Sequence, residues 1–226
     1  MPNRIERALA SALTDDASRV GQILIRRTAL GFVLCHRDDK DLAGLQILQS
    51  AEAAVEIAKF DDAGNYRPLK TAPNLRHGWQ LEVVDLGALR RALDYFYPGR
   101  LAIFATWKLE ELKTTPLRST LDRQSGMYRV AANVSDEQID DLVGKFCRSD
   151  GGCLRTILWK RDGTGRMPST KLPTEKFDPG HDQARAPRSM KVAAAIPLLC
   201  QEACNLLVNE CRKVVKDGRD VSPKRP

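Results

Sequence analysis

The chain has 226 residues, 42% of them apolar, enough for one sizeable core or two small ones. No stretch approaches the roughly 18 consecutive apolar residues of a membrane span, and the first twenty residues lack the apolar run of a secretory leader, so the expectation is a cytoplasmic protein without a membrane segment. The net charge of +7 is uneven: Lys and Arg exceed Asp and Glu by four across 160–191 and by four from Arg212 onward, leaving the rest near neutral. The basic loop and tail give weak evidence for an anionic partner, but 6% aromatic residues and no stacking motif rank nucleic acid lowest, with only weak, salt-sensitive binding expected.

The first predicted elements are two antiparallel strands within QILIRRTALGFVLCH, residues 22–36, split by Arg27, Thr28 and Ala29. Ser50 then caps a helix through AEAAVEIAKF, in which Ala54, Ile57 and Ala58 recur at helical spacing. Residues 60–78 have no clear period and contain two Pro and two Gly, so they form a long loop; Tyr66, Leu69 and Leu75 within it indicate an ordered loop packed on the domain. WQLEVV alternates as a strand, and Asp85 caps a helix with Leu86, Leu89, Leu93 and Phe96 on one face. Pro98 ends that helix or starts the next, and LAIFATWKLEEL, 101–112, makes another.

Thr115 and Pro116 give a further helix start, with Arg118 and Arg123 in the segment that follows. Ser135 and Gln138 form a capping box for a helix carrying Ile139, Leu142, Val143 and Phe146 and ending at Cys147. CLRTILW makes a strand, 160–191 a long irregular insertion with four Pro, and a last helix runs from near Pro197 to before Gly218. The fold class is α+β. A small N-terminal α/β domain with a short antiparallel sheet, 1–97, precedes a mainly helical domain, 98–216, and a disordered tail, 217–226.

Six cysteines in a cytosolic protein point to burial, catalysis or metal binding rather than disulfides. Cys35, alone in FVLC, fits a small buried hydrophobe. Four others form two pairs, C-x5-C at Cys147 and Cys153 and C-x3-C at Cys200 and Cys204, which together make a metal centre. On a helix starting near Pro197, Cys200 and Cys204 would share a face about 6 Å apart along the axis, with Cys200 in the first turn, where the positive dipole end favours an anion. Gly151-Gly152 and the flanking Arg148 and Arg155 offer further compensation for a negative cluster. Spacing alone leaves a [4Fe-4S] cluster and four-cysteine zinc both open. Cys211 lies about 10 Å beyond Cys204 on the same predicted face, a position for packing rather than ligation.

The segments DDAGNYRPLKTAPNL, TPLRSTLDRQSGMY, FCRSDGGCLRTILW and CQEACNLLV, in that order, resemble the C-terminal part of multidomain sirohydrochlorin cobaltochelatase-like proteins. The resemblance implies an accessory domain followed by a stabilising iron-sulfur domain, with the [4Fe-4S] ligands falling on Cys147, Cys153, Cys200 and Cys204. It also implies that the chelatase region, which uses histidine and acidic groups, has no counterpart here. His36, His77 and His181 share no spacing and are expected to be structural or solvated. The expected function is a cluster-binding accessory module beside a chelatase in sirohaem or cobalamin synthesis. Arg67, Lys70, Arg118 and Arg123 are available in this reading to dock a chelatase protein or a polycarboxylate tetrapyrrole. Electron transfer to a tetrapyrrole is the alternative.

Overall fold

The computed structural model describes residues 3–13, 17–72, 74–109, 111–113, 115, 117–147, 153, 156–157 and 194–220. Arg148, Gly151, Gly152, Arg155, the expected insertion at 160–191 and residues 221–226 lie outside them. None of the described helices is long and apolar enough to cross a membrane. The α+β class holds, and the described residues form two packed bodies with separate hydrophobic cores.

The first body opens with α1 (Arg4–Ala12), where Asn3 and Glu6 satisfy each other's backbone N–H groups in a capping box. A six-stranded sheet follows: β1 (Ala17–Val20), β2 (Ile23–Thr28), β3 (Gly31–His36), β4 (Gln46–Leu48), β5 (Trp79–Val83) and β7 (Ala194–Ile196), in the order β4-β5-β3-β2-β1-β7. Its centre is antiparallel, including the hairpin expected at 22–36, while the edge strands β4 and β7 pair parallel. Gly31 starts β3 at φ 136°, and a Cβ there would lie 2.2 Å from the Val83 carbonyl oxygen, so no other residue fits the close approach to β5.

Four helices cover one face of this sheet: α1, α2 (Ala53–Lys59), α3 (Leu86–Phe96) and α4 (Arg100–Lys108). Asp85 caps α3, accepting from the Ala88 N–H at 2.7 Å, and the predicted apolar stripe turns Leu89, Leu93 and Phe96 inward. Trp79 stacks on Phe96 with ring centroids 5.2 Å apart in the middle of this core. The core also takes in Leu101 and Phe104 of α4 and Ile196 and Leu198 of the returning chain. Thus two segments that the sequence reading grouped with the second part pack into the first body.

The second body is built from α5 (Leu117–Asp122), a tight 3-10 helix (Gly126–Asn133), α6 (Asp136–Leu142) and α7 (Asn205–Asp220). The Ser135 and Gln138 capping box forms as expected. Continuing α6, residues Val143–Cys147 widen into a π turn, a form that recurs at functional sites. Two short strands, β6 (Thr156–Ile157) and β8 (Leu199–Cys200), pair parallel beside it.

The C-terminal helix differs from the expectation at both ends. Pro197 is not its first residue: Ile196, restricted to extended backbone by the following proline, pairs with Val20, and Cys200 lies on β8. The helix begins at Asn205 and passes through Gly218 to Asp220, so 217–220 belong to it rather than to a tail. An exposed helical glycine costs only about 1 kcal/mol, too little to stop a helix held by its packed face.

Candidate metal centre

Cys147 closes the π turn and is 5% exposed. Cys153 returns to the same place because its N–H donates to the Phe146 carbonyl at 2.5 Å. It too is buried. The second pair arrives by strand pairing: Ile157 of β6 lies opposite Cys200 of β8. Cys153 is three residues before Thr156, a chain path of at most about 11 Å. Cys200 is buried and shares the second core with Cys147 and Cys211, and Cys204 packs against that core while keeping partial exposure. All six thiols are free of disulfides.

The mechanism expected to hold Cys200 and Cys204 together, a shared helical face, is replaced by a different one. Cys204 occupies the cap position of α7, its carbonyl accepting from the Val208 N–H at 3.2 Å. The positive helix end therefore lies at Cys204 rather than Cys200. Cys211 is fully buried, and burial pushes its thiol up to about 12, so it packs as a neutral side chain. Cys35 lies on β3 in the first body, where burial likewise raises its thiol.

Two polar side chains of the first body reach cysteine sulfurs of the second, and neither was singled out in the sequence. Thr71 Oγ1 lies 2.6 Å from Cys153 Sγ in a buried contact. Arg100, the first residue of α4, donates from Nη1 to the Leu199 carbonyl at 2.9 Å, with the same nitrogen 3.8 Å from Cys200 Sγ. The donor set fits an iron-sulfur group: the four thiols are soft ligands, and burying three of them as thiolates needs the compensating charge that iron and hydrogen-bond donors supply.

The cations expected at a docking surface behave differently. Arg67 is 3% exposed and spends its guanidinium on Asn74 Oδ1 and on the carbonyls of Ala58, Lys70 and Ala72. It organises the 60–78 loop, together with the bridges Phe60 to Tyr66 and Asp61 to Leu75. Arg118 donates to the carbonyls of Ala132 and Val134. Lys70 donates to the Ala58 carbonyl and lies over the Tyr66 ring, and Arg123 binds its own helix at the Ser119 carbonyl.

The histidines hold a feature that spacing hid. His36 and His77 bring their rings to 3.9 Å, and with Asp39 they are, among the described residues, the one set of three ligating groups within 4.8 Å of one another. Each already has protein partners. Asp39 accepts from the Gly78 N–H at 2.6 Å and faces His77 Nδ1 at 3.2 Å; His36 faces the Gln22 amide and accepts from the Asp38 N–H. Burial, reinforced by His77, lowers the His36 pKa to about 4, so the ring is neutral. His77 also borders a cleft of about 430 Å³ with Phe60, Asp61, Asp62, Gly64 and Arg76. His181 lies outside the described residues.

The family matches divide the chain nearly as the two bodies do, except that β7 and Leu198, which pack into the first body, lie within the second match. Residues 5–111 match the DR2241 stabilising domain, and residues 109–213 match a 4Fe-4S iron-sulfur cluster binding domain. The resemblance read from the motifs therefore holds: a match to the stabilising domain is followed along the chain by a match to the iron-sulfur domain. Among solved structures it is similar to DR2241 from Deinococcus radiodurans, a multi-domain protein with structural similarity to chelatases and two additional novel domains. The identity is 26% and the TM-score 0.64, over 94% of this chain and 41% of that one. The chain thus spans less than half the length of that relative. No curated protein matches it.

Proposed function

We propose that the chain is an accessory module of a chelatase system, holding one [4Fe-4S] cluster on Cys147, Cys153, Cys200 and Cys204. The observation that supports this reading is the β6–β8 pairing, which sets Ile157 opposite Cys200, in a region where Cys147 and Cys200 share a core with Cys204 packed against it and which matches the cluster-binding family. When bound, the cluster supplies a covalent cross-link between α6, β8 and α7 and a site for one-electron exchange. The protein's part is to bury three of the four thiols, to give Cys204 a helix N-terminus, and to aim donors at sulfur.

The similarity to a chelatase-like protein favours a chelatase as the partner in sirohaem or cobalamin synthesis. A chelatase protein fits better than a polycarboxylate tetrapyrrole held directly, because the cleft at His77 carries Asp61 and Asp62 against one arginine, and Arg67 and Arg118 are committed to backbone carbonyls. The partial exposure of Cys204 favours electron transfer as a second reading, since it opens one side of the centre to a redox partner.

Anaerobic purification with an absorption spectrum and iron and sulfide analysis tests the proposal. A broad brown visible band with about four irons and four sulfides per chain is expected. A colourless protein carrying one zinc ion would replace the cluster with the four-cysteine zinc reading.

A further inference from the structure

The cluster-binding region does not complete its own surroundings. We propose that Thr71 and Arg100 of the stabilising region are donors to the cluster ligands, one for each cysteine pair, and raise the reduction potential of the bound group. The inference rests on the ligand assignment above. Both residues fall within 5–111, while all four ligands fall within 109–213.

The chemistry of each contact has one direction. An iron-bound thiolate carries no proton, so in the 2.6 Å contact between Thr71 Oγ1 and Cys153 Sγ the hydroxyl is the donor. Arg100 has donors only and stays charged throughout the physiological range. Its bond to the Leu199 carbonyl, the residue before the ligand, holds the guanidinium against Cys200 Sγ. Donors and positive charge at ligand sulfur favour the reduced, more negative cluster.

Thr71 is built into its position rather than resting there. It is 3% exposed, in a turn closed by the Ala72 N–H to the Leu69 carbonyl at 3.0 Å. The buried Arg67 then grips the carbonyls on either side of it, Lys70 at 3.0 Å and Ala72 at 2.7 Å. The purpose of a buried arginine in a loop is thereby explained: it fixes the turn that presents the hydroxyl. Arg67 acts as a positioning residue, through Thr71.

The experiment uses the full chain purified anaerobically, with iron and sulfide counted, and compares Thr71→Val, Thr71→Ser and Arg100→Met. Potentiometric titration followed in the visible should show Thr71→Val with a reduced-to-oxidised ratio about tenfold lower at the wild-type midpoint. For a one-electron couple that is a shift of about 59 mV to more negative potential. Arg100→Met should shift the same way, and Thr71→Ser, which keeps the hydroxyl, should stay at the wild-type value. The oxidised proteins supply a second readout that needs no reduction: losing a donor to sulfur raises the sulfur lone pairs and moves the sulfur-to-iron band to longer wavelength in Thr71→Val but not in Thr71→Ser.

Cluster loss in Thr71→Val with retention in Thr71→Ser would also support the contact. Wild-type midpoint and band position in both Thr71→Val and Arg100→Met, at full iron content, would overturn the inference and leave the ligand assignment standing. A wild-type chain with no iron and sulfide would overturn that assignment as well, so the two failures are distinguishable.

Discussion

The two bodies solve the same stability problem with different materials. The first buries Trp79, Phe96, Tyr97 and Phe104 between a six-stranded sheet and four helices, and large apolar side chains contribute roughly 1.5–3 kcal/mol each when fully buried. The second packs Leu, Ile and Val from three short helices and α7 around Cys147, Cys200 and Cys211, with no aromatic side chain fully buried among its described residues. A core so small does little to offset the entropy of ordering its own chain. What it has instead is a set of thiols, and metal binding free energy in such a unit is also folding free energy.

The sharpest way to break this contrast is to remove one of the proposed ligands. Cys204→Ser should lose iron and abolish the folding transition of the second body, a larger loss than any single core truncation, while the first body melts near its original temperature. Thermal melts with iron counts and hydrogen exchange resolved by region check this, and equal loss in both bodies would make them one cooperative unit. The mirror experiment is Phe96→Ala, which deletes the partner of Trp79 and should cost about 3–5 kcal/mol. Urea unfolding should register that loss in the first body with the cluster still loaded.

Acid sharpens the comparison next, because the first body carries a buried neutral histidine. The folded pKa of His36 is lowered to about 4 from the ordinary 6.5, so the unfolded chain binds more protons between those values and stability falls as pH falls across that window. The contribution is complete above about pH 6.5 and is lost progressively toward pH 4, by up to about 3 kcal/mol. Urea midpoints from pH 7.5 to 4.5 should show the slope, and His36→Gln should flatten it. The smallest effect belongs to Cys211→Ala, expected to cost about 1 kcal/mol with iron content unchanged. Iron loss there, with retention in Cys204→Ser, would reassign the ligands.

Local pattern carried much of the fold. The hairpin at 22–36, the stripe of α3 behind Asp85, and the box of Ser135 and Gln138 each rest on neighbours within a few residues, and each is found. The last helix was misread because Pro197 fits a first helical turn locally, whereas pairing of Ile196 with Val20, far away in the chain, made that segment a strand. The same blindness hid the His36, Asp39 and His77 cluster, whose members share no period.

For the candidate centre, the sequence by itself determined the chemistry: two close cysteine pairs, soft donors, and motifs resembling an iron-sulfur domain. Only the tertiary structure decided the surroundings. It placed Cys204 at the head of α7 instead of Cys200, left Cys211 buried and neutral, and brought Thr71 and Arg100 from another body to the sulfurs of Cys153 and Cys200. The physical reason is range. Ligand type and helix caps are written in adjacent residues, but a hydrogen bond between residues 82 positions apart exists only after both cores have formed and their surfaces have met.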